Sequence, residues 1–315
     1  MNVAAARRAG RPGWVGIAAT LSLSAVLLIA ALGLQTVRQR RYTVSTAGTE
    51  VLYLRSGAAA SRLALAYAAL TADVYWIRAI QHYGDTRRSA SPDKPYALLA
   101  PLLDLTTTLD SRFTVAYRFG AIFLAEPYPD GPGRPDLAIA LLKKGLAAEP
   151  EKWVYAQDAG FVYYWWLHDY KNAAAWFDRA SSIAGAPWWL RSMAATTLTQ
   201  GGDRRSSRQL WRQLYETAED TWVKNNARLK LAQLDALDDI DSLAGLVRRF
   251  TLATGRPPSA WSDLVALRWL PGIPTDPAGE PYQLDLSAPG GVTVSRRSPL
   301  FPLPSQFGST TGPPS

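Results

Sequence analysis

One three-residue spacing recurs four times along the middle of this chain. Small, aliphatic or aromatic residues occupy positions i, i+4 and i+7 of each copy, and successive copies lie 34 to 40 residues apart. The copies are Leu98, Leu102 and Leu105; Ala138, Leu142 and Gly145; Ala173, Phe177 and Ala180; and Ser207, Trp211 and Leu214. Because this spacing places three residues on one side of a helix, each copy predicts a helix that buries a single stripe.

A candidate partner helix precedes two of these copies, at residues 113–125 and 153–167. Each partner contains small residues, Gly120 in the first and Ala159 with Gly160 in the second. A glycine inside a helix costs about 1 kcal/mol relative to alanine, so its presence predicts a crossing that a side chain would obstruct. The repeated stripes therefore belong to the second helices of helical hairpins.

Further helices are predicted at both ends of this region. Residues 62–83 form a first helix or N-terminal cap, with one face that carries Leu63, Tyr67, Leu70, Val74 and Ile77. Its partner is residues 96–109, where Pro101 predicts a kink unless the helix begins later. Residues 222–235 and 240–254 are predicted to form a closing pair. The turn between them holds the acidic run Asp235, Asp238, Asp239 and Asp241, in which Asp239 or Asp241 would cap the next helix.

Helical hairpins of this period resemble the tetratricopeptide repeat (TPR) family. The best copy matches at Ala159, Gly160, Tyr163, Ala173, Phe177 and Ala180, and the copy before it at Phe119, Gly120, Phe123, Ala138, Leu142, Gly145 and Pro150. The resemblance covers about residues 60–255 and implies a mainly α fold, a TPR-like α-solenoid. A longer turn at residues 126–135 departs from the family pattern and leaves the repeat number open. The ligand groove of the family corresponds here to Tyr117, Gln157, Phe161, Tyr164 and Trp165. The alternative is that the rings of Tyr164 and Trp165 pack against the next repeat or the C-terminal module.

Proline becomes frequent after Gly255, and the helical period ends there. The stretch PTDPAGEPY resembles the C-terminal region of the major pseudopilins of type II secretion, with matches at Pro274, Asp276, Pro277, Gly279, Pro281 and Tyr282. That resemblance implies a short helix, a turn and a small antiparallel hairpin. In the family this loop can hold calcium, and Asp276 is then a candidate ligand; the alternative is a structural turn.

The net charge of +8 is concentrated near the N-terminus. Residues 1–47 contain no acidic residue and six arginines, Arg7, Arg8, Arg11, Arg38, Arg40 and Arg41, which leaves +2 for the rest of the chain. This distribution argues against a nucleic-acid surface. The arginines flank residues 14–34, a run of 21 residues without a charge that is long enough to cross a hydrocarbon core of about 30 Å. The pattern predicts a transmembrane helix, with a cleaved signal peptide as the alternative.

These features predict six segments. They are a basic segment 1–13, a transmembrane helix 14–34, a juxtamembrane linker 35–60, a helical repeat domain 61–255, a pseudopilin-like module 256–297 and a disordered tail 298–315. The expected location is the bacterial inner membrane, crossed once, with the soluble part on the periplasmic side. The flanking arginines nearly balance, so this orientation depends on the position of the span close to the N-terminus.

Cysteine and histidine, two residue types that often carry catalysis, are absent or rare in this chain. The chain has no cysteine, two histidines (His82 and His168), and no phosphate-binding glycine loop, nucleophile elbow or zinc-protease motif. We therefore expect no enzyme activity, cofactor, metal or small-molecule substrate. The predicted function is a membrane-anchored scaffold or adaptor that binds a protein partner during assembly of a cell-envelope complex. The alternatives are a permanent structural subunit of a large membrane complex, or an envelope enzyme whose carboxylates converge on the concave face.

Overall fold

The computed structural model describes residues 22–24, 26–31, 33–34 and 67–305. The chain divides into two compact units, Met1–Tyr53 and Leu54–Ser315. The described residues of the first unit are helical and exposed. Within the described part of the chain, no helix has both the length and the apolarity needed to cross a membrane. The predicted span 14–34 lies partly outside the described residues, and the predicted segments 1–13 and 35–60 lie wholly outside them.

The second unit is mainly helical, as predicted. Its nine longer helices among the described residues are α1 Ala68–Arg88, α2 Leu99–Leu109, α3 Thr114–Ala125, α4 Pro135–Ala148, α5 Trp153–Trp165, α6 Tyr170–Ser181, α7 Trp189–Gln200, α8 Arg204–Thr217 and α9 Thr221–Thr254. Each packs against the next along the chain, and α3 also packs against α5. A short helix and two paired strands follow, α10 Trp261–Ala266, β1 Gln283–Leu284 and β2 Val292–Thr293.

The predicted stripes form the buried sides of α2, α4, α6 and α8. Every member is buried except Leu98, which precedes α2 and is half-buried. Ser207 is the one member with a polar side chain, and it occupies a tight crossing with α7. Its hydroxyl donates a hydrogen bond of 2.7 Å to the carbonyl of Ala195 and lies 2.7 Å from Oγ1 of Thr199. Because the hydroxyl is hydrogen-bonded, its burial does not carry the free-energy cost of an unpaired buried polar group.

Pro101 does not kink α2. A single 3-10 turn, Tyr96–Leu98, precedes the helix, so α2 begins at Leu99 and Pro101 falls in its first turn. The backbone nitrogens of a first turn have no partner within the helix, and a proline there removes no hydrogen bond. The later helix start that the sequence left open is therefore confirmed.

The apolar face predicted for the first helix is exposed, which contradicts the expectation that it packs into the structure. Among the described members of that face, Tyr67, Leu70, Val74 and Ile77 are all at least half exposed. The opposite side of α1 is buried instead, through Ala72, Tyr75, Ala79 and Tyr83. Two alanines allow close approach, and the Tyr83 ring stacks on Phe123 of α3 at 4.3 Å. Aromatic packing on small residues therefore decides which side of α1 is covered.

The closing pair predicted at residues 222–235 and 240–254 is a single helix, α9, so the expected turn is wrong. No glycine or proline interrupts the acidic run, and its carboxylates bind partners elsewhere in the fold. Arg204 contacts Asp238 at 2.9 Å and Asp241 at 2.6 Å, and Arg208 of the same helix α8 contacts Asp235 at 3.1 Å. Paired in this way, the acidic side chains line one face of α9 and no longer favour a cap.

The C-terminal module packs on the second half of α9. Ile240, Leu243, Val247 and Phe250 of α9 form one core with residues of the module, which are Trp261, Leu264, Tyr282, Val292, Val294 and Leu300. The predicted short helix and antiparallel hairpin are present as α10 and the β1–β2 pair. A buried glutamine of α9, Gln233, also donates hydrogen bonds to the carbonyls of Leu300 and Pro302 at 2.8 and 3.0 Å.

The Asp276 turn agrees with one expectation for this module, and the segment from Ser298 onward departs from another. Asp276 is buried, and its Oδ1 accepts hydrogen bonds from the backbone nitrogens of Ala278 and Glu280, while Oδ2 accepts one from the Ser298 hydroxyl. Oδ1 thus stabilises the turn, as the structural alternative predicted, and Oδ2 joins the turn to Ser298. A disordered tail was expected from Ser298 onward. The first part of this segment does not fit that expectation, because Ser298 and Leu300 are buried. Residues 306–315 lie outside the described part of the chain.

Candidate functional site: an aromatic cavity between α5 and α7

Helix α5 lies close against α6 because Gly160 has no side chain. A Cβ atom at Gly160 would stand 2.5 Å from the Phe177 ring, a distance that real Cβ contacts do not reach. Phe177 is itself buried and meets Phe161 edge to face at 5.2 Å. The predicted close crossing is therefore confirmed. It holds the next turn of α5, which carries Phe161, Tyr164 and Trp165, in a fixed position above α6.

The exposed side of α5 forms one wall of an open cavity of about 340 Å³. The lining residues are Phe161, Tyr164, Trp165, Phe177, Met193, Thr196, Thr197 and Gln200. The Tyr164 hydroxyl donates a hydrogen bond of 2.9 Å to Oε1 of Gln200, which fixes the α5 wall to α7. The Trp165 ring meets Tyr164 edge to face at 5.0 Å and remains 62% exposed. This ring is therefore available to a ligand without any change in the fold.

The structure brings together three of the five residues predicted for the groove, Phe161, Tyr164 and Trp165. Gln157 is half-buried and does not line the cavity. Tyr117 has no exposed surface, so its assignment to the groove is wrong. Its ring fills the space that Gly145 leaves open.

The buried position of Tyr117 has a clear physical basis. A Cβ at Gly145 would lie 2.9 Å from the Tyr117 ring, and the ring packs against Tyr155 at 5.3 Å. Its hydroxyl donates to the carbonyl of Thr107 at 3.3 Å. Burial raises the pKa of Tyr117 to about 12. The ring therefore belongs to the core between successive helical pairs.

The sequence missed the cavity residues that α7 supplies, Met193, Thr196, Thr197 and Gln200. One signal could have located them. Tyr164 and Gln200 are 36 residues apart, a separation inside the range of 34 to 40 that the buried stripes show. Adding one period to a groove position on α5 leads to the wall on α7.

The cavity lining favours an uncharged, largely apolar ligand. None of its side chains is a carboxylate, an imidazole, an amine or a guanidinium. A charged group placed there would lose its hydration without a compensating partner, which costs several kcal/mol. A large apolar side chain would instead exchange water for aromatic contacts.

A second apolar face lies on α3, the neighbour of α5. Val115, Phe119 and Ile122 follow the spacing i, i+4 and i+7, and each is about half exposed. The ion pair of Arg118 on α3 with Asp158 on α5 joins the two helices. The exposed sides of two adjacent first helices are therefore both apolar.

The Arg118–Asp158 pair is bidentate and partly buried. Nε of Arg118 donates to Oδ2 of Asp158 at 2.6 Å and Nη2 donates to Oδ1 at 3.1 Å. Burial raises the pKa of Asp158, even though the guanidinium favours its charged form. The hydrogen bond to Asp158 raises the pKa of Arg118. Desolvation decides the direction for Asp158 because its side chain is 16% exposed, against 40% for Arg118.

We expect Asp158→Asn to change how stability depends on pH. A raised pKa means that the folded state binds more protons than the unfolded state between the ordinary value near 3.8 and the raised value. Stability of the parent protein therefore falls as pH rises through this window, and the asparagine variant lacks this fall. Urea unfolding at several pH values between about 3.5 and 7 measures the difference.

A matched control has the opposite sign. The backbone nitrogen of Ser206 lowers the pKa of Asp203, the residue that caps α8, so Asp203 contributes stability that is lost as pH falls. We therefore expect Asp203→Asn to remove a loss of stability that occurs as pH falls, whereas Asp158→Asn removes a loss that occurs as pH rises. Parallel pH curves for Asp158→Asn and the parent protein would contradict the expectation.

Comparison with known proteins found no match for this chain among protein-family models, curated proteins or solved structures.

Proposed function

We propose that residues 67–254 form a TPR-like α-solenoid, and that the protein is a membrane-anchored scaffold or adaptor for assembly of a cell-envelope complex. In this proposal the cavity between α5 and α7 binds a protein partner through an uncharged apolar segment. The anchor is the apolar run 14–34 and the soluble part is periplasmic. Catalysis and a cofactor have no part in the proposed function.

Contacts between equivalent positions of successive helical pairs support the solenoid. Asp104 of α2 binds Lys144 of α4 at 2.6 Å, and the two residues are 40 apart in sequence. Arg118 and Asp158 are also 40 apart, and the contact of Tyr164 with Gln200 spans 36 residues. Stacking of one repeat on the next brings together residues one period apart, and these three separations agree with such stacking.

The observation that carries the binding function is the charge-free aromatic cavity. An enzyme of the envelope would need carboxylates or other proton-transferring groups that converge on a substrate, and the lining contains none. Tyrosine and tryptophan beside methionine are typical of surfaces that bind proteins, because large rings bury much area with few rotatable bonds. Among the alternatives that the sequence left open, this lining favours protein binding.

A membrane anchor gives such a groove a mechanism. Partner and adaptor held on the same membrane meet at a high effective concentration, so a modest intrinsic affinity is sufficient for capture. An adaptor in an assembly process also has to release its partner. Weak single-site binding combined with tethering satisfies both requirements.

We expect Trp165→Ala to weaken partner capture about tenfold or more, while helicity and the melting temperature stay nearly unchanged. The ring is largely exposed, so its loss removes contact area for a partner but little core packing. Photoreactive residues at positions 164 and 165, followed by crosslinking and mass spectrometry, identify the partner in cells. The affinity for that partner is then measured for both proteins.

The matched control is Tyr215→Ala, which removes an exposed ring of α8 that does not line the cavity. Capture by this variant should equal that of the parent. A large fall in melting temperature for Trp165→Ala would place the ring in the core, and unchanged capture would remove the cavity from the binding site.

The exposed stripe of α1 favours a second candidate function, a permanent subunit of a large membrane complex. Tyr67, Leu70, Val74 and Ile77 present a continuous apolar face. Outer faces of terminal repeats are usually polar in soluble repeat proteins. Native extraction in mild detergent distinguishes the two functions. A partner in fixed stoichiometry supports the subunit, whereas a partner recovered only after crosslinking supports the adaptor.

A further inference from the structure

A second cavity, of about 480 Å³, lies where two turns of the fold meet. The end of α6 and the start of α7 form one side, and the end of α8 and the start of α9 form the other. Its most prominent walls are the indole rings of Trp188 and Trp222, which are 55% and 60% exposed. Their centroids are 5.4 Å apart and their planes meet at 78°. This pair is separate from the aromatic cavity between α5 and α7.

The exposed rings have no role in the core of the described structure. Two neighbouring tryptophans that leave more than half of their surface in water form a patch whose exposure costs free energy unless a ligand covers it. Because the two planes are nearly perpendicular, a flat ligand that stacks on the face of one indole would contact the other indole at the same time. The corner therefore suits a ring with apolar faces.

The polar groups around the corner carry both signs of charge. Arg191 lines the cavity and lies 3.8 Å from Asp178 through its Nε, while Glu219 and Asp220 line the opposite side. Oδ1 of Asp220 accepts hydrogen bonds from the backbone nitrogens of Trp222 and Val223 at the start of α9, and its second oxygen takes part in neither bond. The site thus offers a guanidinium donor and carboxylate acceptors together.

These charges of both signs favour a neutral ligand. An anion would be repelled by Glu219 and Asp220, and a cation attracted by these carboxylates would offer no acceptor to the Arg191 guanidinium. A neutral ligand with many hydroxyls can accept from the guanidinium and donate to the carboxylates at the same time. A pyranose sugar combines such hydroxyls with faces of C–H groups that stack on aromatic rings. The volume is within the range of ordinary small-ligand sites, about 300–1,000 Å³.

We propose that the Trp188–Trp222 corner is a carbohydrate-binding site for a neutral oligosaccharide. One pyranose face stacks on an indole, and the hydroxyls at its rim bind Arg191, Glu219 and Asp220. The proposal is independent of the protein-binding cavity, and either site can be wrong without affecting the other.

Isothermal titration of the full-length protein with N,N′,N″-triacetylchitotriose and with cellotriose, both neutral, tests the proposal. We expect saturable binding at millimolar concentration by at least one of the two sugars, and a weakening of about tenfold in both Trp188→Ala and Trp222→Ala. Trp165→Ala removes an exposed tryptophan from the other cavity and should bind the sugar as the parent does. No binding of either sugar up to about 10 mM, or unchanged binding by both corner variants, overturns the proposal.

A further variant separates a sugar from a cation. Glu219→Gln keeps a hydrogen-bonding side chain but removes its charge, so sugar binding should change less than about threefold. Binding of tetramethylammonium chloride, measured in the same way, should be absent or much weaker than sugar binding. Tight binding of this cation that Glu219→Gln abolishes would replace the carbohydrate site with a cation site and overturn the proposal.

Discussion

Trp211→Ala is expected to lower the free energy of unfolding by about 3–5 kcal/mol, the usual cost of removing a large aromatic side chain from a core. Trp211 is 2% exposed on α8. It packs in a cluster whose other buried members are Ala195, Leu214, Val223, Ala227, Leu234 and Leu237. The cluster joins α7, α8 and α9, so a cavity there weakens the contacts of three helices at once. Urea unfolding followed by circular dichroism in mild detergent measures the loss.

The same substitution at an exposed position is the control. Trp165→Ala removes the same number of atoms from a ring that is 62% exposed, and the free energy of unfolding should change by less than about 1 kcal/mol. The comparison therefore separates burial from residue type. Equal losses in the two variants would show that Trp165 is packed as deeply as Trp211, which contradicts its proposed availability to a partner.

Gly160→Ala should destabilise the protein by about 1–3 kcal/mol, although alanine is the better helix former. The new methyl would stand 2.5 Å from the buried Phe177 ring, and crowding of this kind in a packed core typically costs that amount. Relief by movement of Phe177 is opposed by its own packing beneath α5. The size of the loss therefore measures how tightly the wall of the aromatic cavity is held.

Gly245→Ala tests the same change without the crowding. Gly245 lies within α9, and the nearest atom to a Cβ there is Nη2 of Arg248 at 3.9 Å. Alanine should stabilise this position by about 0.5–1 kcal/mol through helix propensity alone. The two variants should shift the unfolding midpoint in opposite directions. A stabilising Gly160→Ala would mean that α5 and α6 are not in close contact.

The sequence predicted most of what depends on local periodicity. The second-helix stripes at Ala138, Leu142, Phe177 and Trp211 are buried as expected, because the spacing i, i+4, i+7 places three residues on one face in any helix. Glycine at position 160 predicted a close crossing, since its cost in a helix needs compensation. The turn at Asp276 was also predictable from nearby residues, because it lies in a stretch rich in proline and glycine.

Expectations that depended on distant partners were less successful. The choice of buried face on α1 could not follow from its own sequence, because Tyr83 packs on Phe123, which belongs to another helix pair. The acidic run of α9 resembled a turn because Arg204 and Arg208 lie about 30 residues earlier in the chain. Both errors come from partners that no local window contains.

The candidate site divides in the same way. Phe161, Tyr164 and Trp165 were predicted for the groove by the family resemblance, and they line the cavity together because they lie on one side of α5. Tyr117 was assigned by correspondence with a family groove, and the space beside Gly145 places it in the core instead. The α7 wall and the Trp188–Trp222 corner each join residues more than 30 positions apart.

By itself, the sequence determined that this chain builds paired helices with one buried stripe each, because apolar periodicity is a property of consecutive residues. Only the tertiary structure decided which rings remain exposed and which cavities they line. The physical reason is that exposure of a side chain depends on what packs over it. The covering group often lies far away in the sequence, as Gln200 does for Tyr164, 36 residues earlier.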